Sequence, residues 1–191
     1  MTLTEPTVLL VIDVQRGFDD PVWGQRDNPA CETNIAALLD AWRERGWPVV
    51  FVRHDSTEDG SPLRPGQPGN DFKSAVTGAP DLLVTKSTNS AFYGTPDLCA
   101  WLDERGLDSI AITGITTNHC CETTARMAGN LGYRVAFVID ATHCFDRTGP
   151  DGVRLDAATL SRVTAANLHG EFADVVTTRS VLDDLAARAG A

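Results

Sequence analysis

Three residues of different chemistry, far apart in the chain, are the ones that could act together: Asp13, Lys86 and Cys120. A carboxylate can take a proton, an ammonium can hold an anion in place, and a thiol can attack a carbonyl carbon. Combined, they would be a nucleophile supplied with its own base, which is the equipment for acyl transfer through a covalent thioester. Singly, each has a plainer reading. A strand-end Asp caps a turn, a Lys is solvated, and a buried free Cys packs as a small hydrophobe. Cys120 has one local advantage, because it falls at the start of a predicted helix, where the helix dipole favours thiolate over thiol.

The elements that must position these residues alternate along the chain. Apolar, β-branched runs occur at Val8–Ile12, Val49–Val52, Leu82–Val84, Ile110–Ile112, Val135–Ile139 and Ala173–Thr177. Continuous runs of this length suit strands buried on both faces. Between them lie helical patterns. Ile35, Leu38, Leu39 and Trp42 recur at helical spacing before Gly46, and Leu98, Trp101 and Leu102 before Gly106. Thr95-Pro96-Asp97 reads as a cap with proline at the first helical position, and Ser180 with Asp183 as a capping box. Segments 120–131 and 153–169 are the remaining helices. Such alternation predicts an α/β fold, a doubly wound, Rossmann-like parallel sheet with helices on both faces. In these sheets ligands bind beyond the carboxyl ends of the strands. Asp13 ends the first run, Lys86 the third, and the turn after the fourth leads to Cys120. Topology thus puts all three on one edge, though it leaves the catalytic and structural readings both open. The Gly/Pro/Asp-rich stretch from Asp55 to Asn70 has no periodicity and reads as a lid or a plain surface loop.

Composition narrows the function. At 191 residues the chain is read as a single domain, 1–191. A formal net charge of -10, with no Lys/Arg cluster, argues against nucleic-acid and anionic-membrane partners. No apolar run is long enough for a membrane span, and Met1 to Thr7 lacks signal-peptide character, so a cytoplasmic location is expected. The five cysteines are odd in number and irregularly spaced, as expected of reduced thiols rather than a disulfide or zinc framework.

Three segments carry a resemblance. Asp13-Val14-Gln15-Arg16-Gly17-Phe18, Lys86-Ser87-Thr88-Asn89-Ser90-Ala91-Phe92 and Gly114-Ile115-Thr116-Thr117-Asn118-His119-Cys120 resemble, in order and spacing, the signature segments of the isochorismatase-like cysteine hydrolases. The resemblance implies a six-stranded parallel sheet and a catalytic triad of Asp13, Lys86 and Cys120. It also favours Cys120 over Cys121, because the family's nucleophile lies six residues after the motif glycine, here Gly114. The backbone N–H groups of Thr116 and Cys120 would form an oxyanion hole, with a cis bond between Ile115 and Thr116. The implied activity is hydrolysis of a C–N bond in a small amide, ureide or lactam, with no cofactor, by a homodimer or homotetramer. Lys86–Phe92 and 120–131 read closest to streptothricin hydrolase. Nicotinamidases of this superfamily carry a metal-binding Asp-x-His after the second strand. Asp55 matches the aspartate, but Thr57 stands where the histidine should be, so the expectation is no metal, and nicotinamidase activity is disfavoured. Substrate-contact candidates are Phe18, Trp23, His54, Phe92, Tyr93, Asn118 and His119. Two alternatives are a vinyl-ether-cleaving isochorismatase, which carries no thiol nucleophile, and a non-catalytic scaffold.

Overall fold

The computed structural model describes Leu3 and residues 6–189. The chain forms β1 (Val8–Ile12), α1 (Cys31–Glu44), β2 (Val49–His54), β3 (Leu82–Lys86), α2 (Leu98–Asp103), β4 (Ser109–Ile115), α3 (Glu122–Asn130) and β5 (Arg134–His143). A small hairpin of β6 (Arg147–Thr148) and β7 (Arg154–Leu155) follows, then α4 (Ala157–Leu168), β8 (Asp174–Val176) and α5 (Thr178–Ala189). Six strands pair in the order β3-β2-β1-β4-β5-β8, every pair parallel. The sequence therefore spends its apolar runs as two-faced core. Every residue of β1 and β4 is buried. One face is closed by Ile35, Leu38, Leu39 and Trp42 of α1 with Val181 and Leu185 of α5. The other is closed by Leu98 and Leu102 of α2, Ala125 and Ala128 of α3, and Leu168 of α4. Among the described residues, no helix is long and apolar enough to cross a membrane.

The chain winds outward from β1 in both directions, so the crevice between β1 and β4 is the switch point of the sheet. Gly114 makes that crevice narrow. It pairs with Ile12, has φ 130°, and a Cβ there would lie 2.0 Å from the Ile12 carbonyl oxygen. No other residue fits so close to the neighbouring backbone.

Local signals moved in two places. The cap of α2 is Asp97, whose side chain accepts from the Ala100 N–H, so Thr95-Pro96 lies before the helix. The capping exchange of α5 is between Thr177 and Ser180, with the Thr177 N–H on Ser180 Oγ and the Ser180 N–H on Thr177 Oγ1. In both cases a short polar side chain nearer the true helix start took the orphan N–H groups.

The fifth strand is longer than its apolar run because it bulges. While β4 advances from Ile112 to Gly114, β5 advances from Phe137 to Thr142. Asp140 sits in the bulge, and its Oδ1 accepts from the N–H (2.7 Å) and hydroxyl (2.8 Å) of Thr178 at the start of α5.

Beside this bulge, His143 is fully buried, and neither ring nitrogen is hydrogen-bonded among the described residues. Burial, reinforced by Arg26, pushes its pKa down from 6.5 to about 3. The unfolded chain therefore takes a proton at His143 across a range where the folded chain does not, and stability falls as the pH drops from 6.5 towards 3. His143→Phe should flatten that acid limb, with urea midpoints at pH 7 and 5 closer together than in the wild type. Unchanged spacing would show that other groups govern acid unfolding.

Candidate active site

Asp13 follows β1 with φ 52°, a left-handed conformation rare outside glycine, and its N–H donates to the Val52 carbonyl at 2.8 Å. Lys86 ends β3, where the sheet register sets it beside His54, the last residue of β2. Cys120 lies in a π-helical turn, Thr117–Cys121, between β4 and α3. The structure brings the three together. Lys86 Nζ donates to Asp13 Oδ2 at 2.6 Å and to Cys120 Sγ at 3.5 Å, and the side chains of Lys86 and Asp13 are wholly shielded from solvent. The second carboxylate oxygen, Asp13 Oδ1, is buried with no hydrogen-bond partner among the described residues.

The electrostatics correct one expectation. Burial, with the Asp13 carboxylate beside it, pushes the Cys120 thiol up, and Lys86 only partly opposes this. The helix start does not outweigh desolvation, so the resting group is a thiol and not a preformed thiolate. Burial by itself would lower the Lys86 pKa, but Asp13 and Cys120 together raise it, which keeps the ammonium charged. Cys121 is fully buried in core packing, and its thiol is also pushed well up by burial.

His54 completes the inner site. Its Nδ1 lies 3.3 Å from Lys86 Nζ. An ammonium can only donate, so Nδ1 must be the bare, accepting nitrogen and Nε2 the one that carries hydrogen. Burial and the Lys86 charge both lower the His54 pKa, in keeping with a neutral ring. Gln15 fixes the residue's backbone, donating to the His54 carbonyl at 3.0 Å and accepting from its N–H at 2.9 Å. His54→Asn can still present an acceptor to Lys86, whereas His54→Leu cannot. Turnover at this site should fall about tenfold or more in kcat in the Leu variant, with the Asn variant intermediate. Equal losses in KM alone would mean that His54 does not support Lys86.

Asp13, His54 and Cys120 offer ligand-type atoms within 4.8 Å of one another. Lys86 Nζ reaches all three, so the place a metal cation would take is held by the ammonium.

Of these groups, His54 and Cys120 line a 370 Å³ cavity, with Asp13 and Lys86 buried behind them. Phe18, Trp23, His54, Asn118 and His119 line it, together with Thr116 and Cys120. Phe18, Trp23 and Phe145 make an aromatic wall with ring centroids 5.2 to 6.3 Å apart. Two sequence candidates are elsewhere. Phe92 turns inward and stacks on Tyr133 at 5.7 Å, and Tyr93 stands 69% exposed, outside the cavity lining. Both lie in a tight 3-10 turn, Ala91–Tyr93, five to seven residues beyond Lys86. The bond between Ile115 and Thr116 is cis.

Other lining residues were not singled out from sequence. Asn89 places Oδ1 3.6 Å from the Cys120 sulfur. It sits inside the Lys86–Phe92 motif, which was the available signal. Leu63 comes from the aperiodic 55–70 stretch, which is a fixed wall: Asn70 Nδ2 donates to the carbonyls of His54 (3.1 Å) and Leu63 (2.9 Å). Gly17 allows that wall to close, since a Cβ there would lie 2.8 Å from Leu63 Cδ2 and the Pro62 carbonyl. Phe145, Arg147 and Thr148 arrive from beyond the β5 bulge, and Val22 from the turn that ends at Trp23.

A parallel sheet with this switch-point constellation is that of the isochorismatase-like cysteine hydrolase superfamily, and comparison with known proteins agrees. The isochorismatase domain family model matches residues 7–179, and the chain belongs to the isochorismatase family. It is 38% identical to the isochorismatase family protein YrdC of Bacillus subtilis, over 95% of this chain and 97% of that one. It is 35% identical to nicotinamidase 3 of Arabidopsis thaliana over 72% and 73% of the two chains. The crystal structure of an isochorismatase-family protein from Chromobacterium violaceum superposes with a TM-score of 0.91, at 42% identity, covering 96% and 95% of the chains.

Proposed function

We propose that this isochorismatase-family hydrolase is a cysteine-dependent amidohydrolase, cleaving a C–N bond of a small amide, ureide or lactam through a thioester on Cys120. The observation that carries the reading is the placement of Lys86 Nζ, 2.6 Å from Asp13 and 3.5 Å from the Cys120 sulfur, where Cys120 lines a cavity.

The chemistry follows from the charges. Because the thiol is held protonated, its proton must leave as the sulfur attacks, and Asp13 Oδ1 has the unused lone pairs to take it. Sulfur bonds to the carbonyl carbon, the carbonyl electrons move to oxygen, and the backbone N–H groups of Thr116 and Cys120 receive the oxyanion. Each such donor is typically worth about 3 kcal/mol of barrier. As the tetrahedral centre collapses, the C–N bond breaks and Asp13 returns its proton to the departing nitrogen. Water, deprotonated by Asp13, then attacks the thioester and releases a carboxylic acid, and sulfur recovers its proton. Lys86 stays charged throughout and keeps the carboxylate aimed.

The resemblance to a protein named a nicotinamidase supports C–N cleavage, and Thr57 in place of the metal-site histidine weighs against nicotinamide itself. A panel of primary amides including nicotinamide, ureides and lactams, assayed for ammonia or amine release, tests the reading. Turnover that disappears in Cys120→Ala is expected; release by both proteins alike would overturn it.

A further inference from the structure

Arg147 carries a charge for which the fold has no use. It stands in the cavity wall, at the start of the β6–β7 hairpin, where its backbone is fixed by pairing with Leu155. Its guanidinium makes no hydrogen bond or ion pair among the described residues. The cations around it are all engaged: Arg26 and Lys73 on Glu32, Lys86 on Asp13, and Arg154 on Asp146. Asp146, the adjacent carboxylate in the wall, is spent on Arg154 and on the Ala157 N–H at 2.8 Å. In a chain of net charge -10, an exposed guanidinium on a residue that lines the cavity is a local reversal of sign. His119, the other basic side chain at that end, is kept neutral by burial and by Arg147 itself.

Resting on the hydrolase reading above, we propose that the substrate carries an anionic group, a carboxylate or one of like shape, which Arg147 holds while the scissile carbonyl lies at Cys120. The guanidinium fork suits a planar two-oxygen anion, and the Thr148 hydroxyl beside it offers one further donor. Between the two ends, the Phe18, Trp23 and Phe145 rings take an apolar or planar body. The substrate class is then an acid-bearing amide or ureide, anionic at one end and acylating at the other.

Paired alkylating agents test this without knowledge of the natural substrate. Iodoacetanilide and 4-(iodoacetamido)benzoate deliver the same electrophile, and differ by one carboxylate on the ring. Rates of Cys120 modification, followed by mass spectrometry, are divided by the rates with free cysteine. The carboxylated reagent should gain about tenfold over the neutral one, Arg147→Gln should remove the gain, and Arg147→Lys should keep part of it. Arg105→Gln, a charge-matched change on Arg105, which stacks on Trp101, should leave the ratio as in the wild type. No gain in the wild type, or a gain that survives Arg147→Gln, overturns the anionic-substrate proposal and leaves the hydrolase reading standing. A Cys120 inert to both reagents overturns the two together.

Discussion

Lys86→Met should unfold at markedly lower denaturant concentration than the wild type, by about 3–5 kcal/mol, because it strands a buried carboxylate. Methionine fills much the same volume, so lost packing is a minor part. What disappears is the 2.6 Å bond to Asp13, from a pair with no solvent access. One feature distinguishes this from a general core defect. Adding Asp13→Asn should recover most of the stability, since a neutral buried pair carries no uncompensated charge. Hydrolysis should be lost in both variants, by about 10³-fold or more, because neither has an ionised, aimed base. A Lys86→Met protein as stable as the wild type would mean that the pair is not buried as described.

Cys120→Ala should reduce hydrolysis by at least about 10⁴-fold while leaving the fold intact. The sulfur lies at the cavity floor, so its removal enlarges an existing space without opening a new void in the core. Cys121→Ala is the informative contrast. Its sulfur is wholly buried among core residues, so stability should drop by about 1 kcal/mol with hydrolysis nearly unchanged. Urea titration and the amide panel, run side by side, separate the two cysteines. Loss of activity on changing Cys121 would assign the nucleophile wrongly.

Much of the framework could be read from residue patterning because it depends on local apolar runs. Val8–Ile12 and Ile110–Ile112 are buried on both faces, as a parallel sheet covered by helices requires of its central strands. The edge that gathers Asp13, Lys86 and Cys120 followed from topology. What could not be read depends on tertiary context. The β5 bulge is held by Asn28, Asn34 and Thr178, all on Asp140 and none adjacent to it in sequence. Without the bulge there is no reason to look for cavity residues at Phe145 and Arg147. Phe92 and Tyr93 misled because proximity to Lys86 in sequence says nothing about which way a tight turn faces. The charge state of Cys120 was equally hidden, since the dipole at a helix start is a local property and desolvation is a global one.

The central claim is that a covalent bond forms at one sulfur. Acid-quenched samples taken during turnover of a substrate from the amide panel, digested and weighed, read it directly. An acyl mass on the peptide that contains Cys120, cleared by hydroxylamine and absent from Cys120→Ala, is the result that the proposed mechanism predicts. Turnover with every thiol unmodified at all quench times, or an acyl group on another residue, would contradict it.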